Sequence, residues 1–178
     1  TKLTPLEKSW ILYDIGNSAF ILLVSTIIPI FFESLCAADG LSNAEYLSTW
    51  SFMGSISTLI VAFIGPICGT MADCKRCKKP IFILSMGLGA LGCAALGTAW
   101  SWLSFAVIFV IAKVGYNSAN VFYDAMLPEV AGQERMDNIS SLGYAFGYIG
   151  SVIPFVLCLL VVLGNEIIGI SMGTAMTI

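Results

Sequence analysis

Long apolar stretches recur along this chain at near-regular intervals, each closed by a short polar break, and no other feature restricts its fold so tightly. They cover residues 10–32, 46–71, 81–98, 103–127 and 139–163, and a sixth begins near 167 and runs to 178. A helix needs about 20 predominantly apolar residues to cross the hydrocarbon core of a bilayer, so the first five are read as spanning helices. Inside lipid the backbone must satisfy its own hydrogen bonds, which favours helices over irregular chain. The sixth stretch stops after about 12 residues, an unfinished helix that marks the sequence as an expected fragment.

Composition agrees. Of 178 residues, 58% are hydrophobic and 11% charged, whereas a soluble domain carries about 25% charged residues to cover its surface. A formal net charge of -3 leaves no basic surface for nucleic acid. With no histidine, mixed zinc sites and His-based triads are not expected. Neither GxxxxGK nor GxSxG occurs, and the carboxylates are dispersed. The chain is therefore not read as an enzyme or as driven by its own ATP, and no cofactor or metal is expected. Cys68, Cys93 and Cys158 read as small apolar helix residues. Cys74 and Cys77 form a CxxC pair, but neither a βαβ context for a thioredoxin-like site nor two further zinc ligands is evident. The opening TKLTPLEKSW is largely polar and the apolar run after it lacks a small-residue cleavage site, so the first span is read as retained.

Charge placement predicts the direction of threading. Lys2 and Lys8 precede the first span, Lys75, Arg76, Lys78 and Lys79 follow the second, and Arg135 follows the fourth. The intervening loops carry Glu33, Asp39, Glu45 and Glu166 and no basic residue. Short basic loops stay on the cytoplasmic side, so the N-terminus is expected inside.

Small residues predict where helices approach. Gly65 and Gly69 are four apart, as are Gly143 and Gly147, with Gly150 on nearly the same face. Ser51, Ser55, Thr58 and Ala62 form another stripe read as a close-approach surface. Pro29, Pro66 and Pro154 predict local bends or gaps.

Polar residues at hydrocarbon depth carry the functional signal. Lys113, Asn117, Asn120 and Asp124 follow at steps of four, three and four, which confines them to a stripe roughly 60° wide on the fourth helix. A lysine at mid-membrane costs about 2.5–3.5 kcal/mol on insertion scales, so the stripe is expected to face water or the bundle interior. It is read as a cavity wall, against the alternative of a closed polar network. In the first span Asp14, Asn17 and Ser18 sit about a turn apart; Asp14 could carry a proton or pair with a cation, or anchor the helix at the interface. Tyr144, Tyr148 and Ser151 offer hydroxyls in the fifth span, where aromatic filling is the plainer reading.

Between the second and third spans the chain reads GPICGTMADCKRCKKP, residues 65–80. This resembles the loop motif of the major facilitator superfamily, with Gly69 at the leading glycine, Asp73 at the acidic position and a basic cluster after it. It departs at Cys74 and Cys77, where arginine is common, and at Arg76, where glycine is frequent. YDIGNSAF in the first span and NVFYDAMLPEVA at the end of the fourth resemble the vacuole-effluxer-like branch, which includes bacterial members and fungal vacuolar amino-acid exporters. The likeness extends over the full 178 residues.

The resemblance implies an all-α membrane protein: the six-helix N-terminal half of a facilitator-type transporter, built of two inverted three-helix repeats, with a C-terminal half as partner. It implies secondary transport of a small solute, an amino acid by family likeness, through alternating access. Lys113, Asn117, Asn120, Tyr144 and Tyr148 would line the substrate path. Asp73 with Lys75, Arg76, Lys78 and Lys79 would form a cytoplasmic latch, and Asp14, Asn17 and Asp124 would serve coupling to a proton or ion, or gating. A bacterial inner membrane is favoured over a vacuolar one. The alternative is a non-transporting scaffold or sensor on the same fold.

Overall fold

The structure, a computed structural model, describes residues 2–74 and 76–177. Among them are five helices long and apolar enough to cross a membrane: α1 (Pro5–Ala38), α2 (Asn43–Ala72), α3 (Lys78–Leu96), α4 (Trp102–Ala131) and α5 (Met136–Leu163). Two short helices follow, α6 (Asn165–Ile168) and α7 (Met172–Thr177). The five correspond one to one with the apolar stretches, overrunning most of them at polar ends.

Capping residues explain the overruns. Thr4 and Glu7 form a reciprocal box at the start of α1: the Thr4 N–H donates to Glu7 Oε2 at 2.7 Å and the Glu7 N–H to Thr4 Oγ1 at 3.2 Å. Pro5 follows the cap, where its missing N–H costs nothing. Ser42 and Glu45 repeat the device at α2. Pro80 likewise sits in the first turn of α3, among amides that have no intrahelical partner.

Three expectations need correction. The stretch from 167 onward is broken in two, because Gly169 takes a left-handed conformation (φ +77°) that ends α6. The Ser171 hydroxyl then accepts from the Thr174 N–H at 3.2 Å and opens α7. Pro29, Pro66 and Pro154 leave no gap, since α1, α2 and α5 run through them as helix. Lastly, Gly65 and Gly69 provide no close approach: a Cβ at either would meet nothing within 4 Å.

The chain forms two compact units, residues 1–28 with 126–169 and residues 29–125 with 170–178. In the first unit α5 packs on α1 through the predicted glycines. A Cβ on Gly143 would come within 2.6 Å of the Trp10 ring, one on Gly147 within 2.7 Å of Ser18 Oγ, and one on Gly150 within 2.7 Å of Ile15.

In the second unit the tight crossing is α3 on α4. A Cβ on Gly92 would lie 2.7 Å from Ala112 Cβ, and one on Gly115 would lie 2.8 Å from the Gly89 backbone nitrogen. Aromatic rings fill one end of this unit: Phe32 stacks on Phe105 at 4.9 Å, and Trp50 lies 5.1 Å from Phe109. Cys68, Ala72 and Phe122 centre a smaller core with Ile64, Ile81 and Phe82 around it.

Without water between membrane helices, packing is held by contact, so crowding has a direct cost. Gly92→Ala is expected to lower thermal stability in detergent by about 1–3 kcal/mol, and Gly65→Ala to leave it unchanged. Equal melting of the two variants would show that the α3–α4 contact does not hold the unit.

Candidate solute path

Lys113 lies in the twelfth position of α4's thirty residues, half-buried, on the face turned to α2. It borders an open groove of about 540 Å³ together with Ser51, Gly54, Ser55, Thr58, Leu59 and Ala62. The α2 stripe of small residues is thus a groove wall and not the packing surface that its composition suggested. The reason is local. Ser55 Oγ donates back to the Ser51 carbonyl and Thr58 Oγ1 to the Gly54 carbonyl, each at 2.9 Å, so these hydroxyls satisfy themselves on their own helix and need no neighbour. Ser57, on another face, is the buried one.

The ammonium of Lys113 is 5.6 Å from the centroid of the Phe109 ring, one turn earlier on α4, and among the described residues it has no ion-pair partner. A Cβ on Gly54 would be 3.9 Å from Nζ, so the absence of a side chain there leaves the ammonium room. A cation over an aromatic face gains about 0.5–2 kcal/mol, less than the roughly 2.5–3.5 kcal/mol its depth costs. The ring alone does not settle the charge; the groove supplies the rest of its solvation.

The remaining residues of the polar stripe are placed differently. Asn117 and Asn120 are half-buried and do not border the groove. Asn120 Oδ1 is enclosed and, among the described residues, accepts no hydrogen bond. Asp124 is exposed. The predicted stripe therefore divides, with Lys113 alone reaching the groove.

Asp14, Asn17, Tyr144 and Tyr148 all belong to the first unit. Asp14 is half-buried against α5, its Oδ2 within 3.1 Å and 3.3 Å of where Cβ atoms of Gly143 and Gly147 would stand. Asn17 hydrogen-bonds its carboxylate. Tyr144 and Tyr148 are exposed, their hydroxyls 3.2 Å apart and their rings 4.8 Å apart.

In the motif loop, Asp73 is the exposed C-cap of α2, a position where the helix dipole disfavours a carboxylate. Arg76 and Lys79 are exposed as well. Lys78 is not: it is buried, and its Nζ donates to the Ala125 carbonyl near the end of α4 at 3.1 Å. It acts as a clamp between the start of α3 and the end of α4, where the dipole of α4 favours a cation. Lys75 lies outside the described residues.

One charged contact escaped the sequence reading. Glu7, only 1% exposed, pairs with Arg135 at 2.9 Å and so ties the start of α1 to the loop before α5. The Thr-Pro-Leu-Glu run at residues 4–7 was the available signal, since a capping box fixes where a glutamate points. Within the second unit, the Trp102 N–H donates to Asp39 Oδ2 at 3.1 Å.

Five long apolar helices with polar connections define an integral, multi-pass membrane protein. Residues 6–177 match the family model described as "Vacuole effluxer Atg22 like". The chain belongs to that family, a branch of the major facilitator superfamily. It is 39% identical over 165 residues to the "Uncharacterized MFS-type transporter YxiO" of Bacillus subtilis (strain 168), covering 91% of this chain and 39% of that protein. A second relative, an "Uncharacterized protein" of Aquifex aeolicus (strain VF5), is 26% identical over 147 residues, which cover 82% of this chain and 36% of the relative. The chain thus spans well under half the length of the relatives it matches. No solved structure matches it significantly.

Proposed function

We propose that this chain forms the N-terminal part of a secondary transporter that moves a small solute by alternating access, with Lys113 as its fixed cation. One observation carries the reading: a half-buried ammonium borders an open groove walled by Ser51, Ser55 and Thr58 and has no ion-pair partner among the described residues. Such a group suits a carboxylate, which fits the amino-acid cargo that the family likeness implies. Asn117 and Asn120 continue the polar face beyond the groove, and the enclosed Asn120 Oδ1 would meet solute only in a gating state that opens that face. Asp14 is the candidate for proton coupling. Asp73, with the exposed Arg76 and Lys79, is the candidate latch, its cation supplied by a segment that packs there in one gating state. The basic residues before the first span and after the second and fourth support a cytoplasmic N-terminus, and the bacterial relatives support a bacterial inner membrane.

The experiment is an accessibility scan in the full-length protein. With the native cysteines removed, single cysteines at positions 113, 117 and 120 of α4 and 51, 55 and 58 of α2 are challenged with a membrane-impermeant thiol reagent. Reaction at 113 and at the α2 positions, slowed by added solute, is the expected result. A helix face that stays unreactive from both sides of the membrane would leave the scaffold alternative standing and remove the path.

A further inference from the structure

The turn between α2 and α3 holds a chemical group that transport does not use. The Cys74 carbonyl accepts from the backbone N–H groups of Cys77 at 3.0 Å and Lys78 at 3.1 Å. Residues 74 and 77 therefore open and close one tight turn, and their side chains emerge together. The two Sγ atoms are hydrogen-bonded at 3.0 Å. Both are free thiols, Cys74 exposed and Cys77 intermediate, whereas Cys36 and Cys68 are buried in helices. A disulfide spans about 2.0 Å, so the sulfurs need approach by only about 1 Å.

The environment also separates the two roles that thiol exchange requires. The Cys77 thiol, followed by the backbone N–H groups of Cys77 and Arg76, holds the Cys74 thiol below its ordinary value. The same contact with Cys74 pushes the Cys77 thiol up. An exposed thiol whose anion a neighbour stabilises, with a half-buried second thiol touching it, has the arrangement of an attacking and a resolving group.

We propose that Cys74 and Cys77 are a redox-active dithiol that exchanges with small-molecule disulfides of the glutathione class. The Cys74 thiolate attacks one sulfur of the disulfide, forming a mixed disulfide and expelling a thiolate that takes up the proton Cys74 gave up. Cys77 then loses its proton and attacks the Cys74 sulfur, closing the internal bond and releasing the second thiol. The dithiol gives up two electrons and two protons, and the reagent gains both. The bond fixes the turn beside Asp73, and the chemistry stands independently of what the membrane path carries.

The test uses the full-length protein in membrane vesicles, incubated with oxidised glutathione, acid-quenched, alkylated with N-ethylmaleimide and digested. The peptide holding Cys74 and Cys77 is expected to lose both labels and the mass of two hydrogens, reversibly with dithiothreitol, while peptides holding Cys68, Cys93 and Cys158 keep theirs. In Cys77→Ser, a glutathione adduct accumulates on Cys74; in Cys74→Ser, no internal bond forms and the half-buried Cys77 takes up glutathione more slowly than the exposed Cys74 does in Cys77→Ser. A loop peptide that stays doubly alkylated under excess oxidant, or one that carries only glutathione adducts without the internal bond, overturns the proposal.

Discussion

Replacing Lys113 with methionine is expected to cut solute uptake by the full-length protein roughly ten- to hundredfold, the equivalent of losing a charge-assisted hydrogen bond of about 1.5–3 kcal/mol. Methionine keeps the length of the side chain and its contact with Phe109 while removing the ammonium. Because a lysine at this depth costs about 2.5–3.5 kcal/mol, the variant should fold as well as the wild type or better. Uptake and thermal stability therefore move in opposite directions, which a purely structural lysine would not produce. Lys113→Arg should retain part of the activity, since it keeps the charge but adds bulk to a groove bordered by Gly54. Normal uptake by Lys113→Met would take the residue out of the path.

The second large effect concerns stability. Arg135→Ala strands the carboxylate of Glu7, which is 1% exposed, and should destabilise the first unit by about 3 kcal/mol, the low end for breaking a buried pair. Arg135 is itself 29% exposed, so solvent offsets part of the loss. Glu7→Gln keeps the capping box, which accepts either residue at that position, and removes the charge. The double variant Glu7→Gln, Arg135→Ala should then be more stable than Arg135→Ala alone. Detergent melts of the four proteins in this cycle measure the coupling; strictly additive losses would show that the pair carries no specific interaction.

Much of the architecture was written in the order of side chains. Hydropathy alone located all five long helices, because lipid imposes one requirement along the whole length of each. Their ends were less legible, since α1 begins at Pro5 and α2 at Asn43, outside the apolar runs, where capping by Thr4 and Ser42 decides. Glycine spacing was an ambiguous guide. The pair Gly143 and Gly147 meets α1, while Gly65 and Gly69, with the same spacing, meet nothing among the described residues. The α3–α4 crossing rests on Gly89, Gly92 and Gly115, whose spacing drew no attention, because close approach depends on which helix lies opposite.

The candidate site shows a similar division. A helical period places Lys113, Asn117, Asn120 and Asp124 on one face, but not the distance from each to the next helix, and only Lys113 borders the groove. Lys78 sat in a run of basic residues read together as a latch, and it is buried because its place at the start of α3 sets it against the Ala125 carbonyl. No periodicity encodes that. The loop motif kept its charges in sequence, yet its described members divide in space into a buried clamp, Lys78, and the exposed Asp73, Arg76 and Lys79.

The aromatic rings at one end of the second unit have a bearing on binding. Phe32 stacks on Phe105, Phe105 on Phe109, and Phe109 carries the ammonium of Lys113. Rings packed in series have few alternative rotamers, so the aromatic seat beside the cation is preorganised: the entropy of fixing it was surrendered during folding and is not charged again when an anion arrives. An occupant of the groove would then meet a rigid anvil on one side and, on the other, α2 hydroxyls already bonded to their own helix.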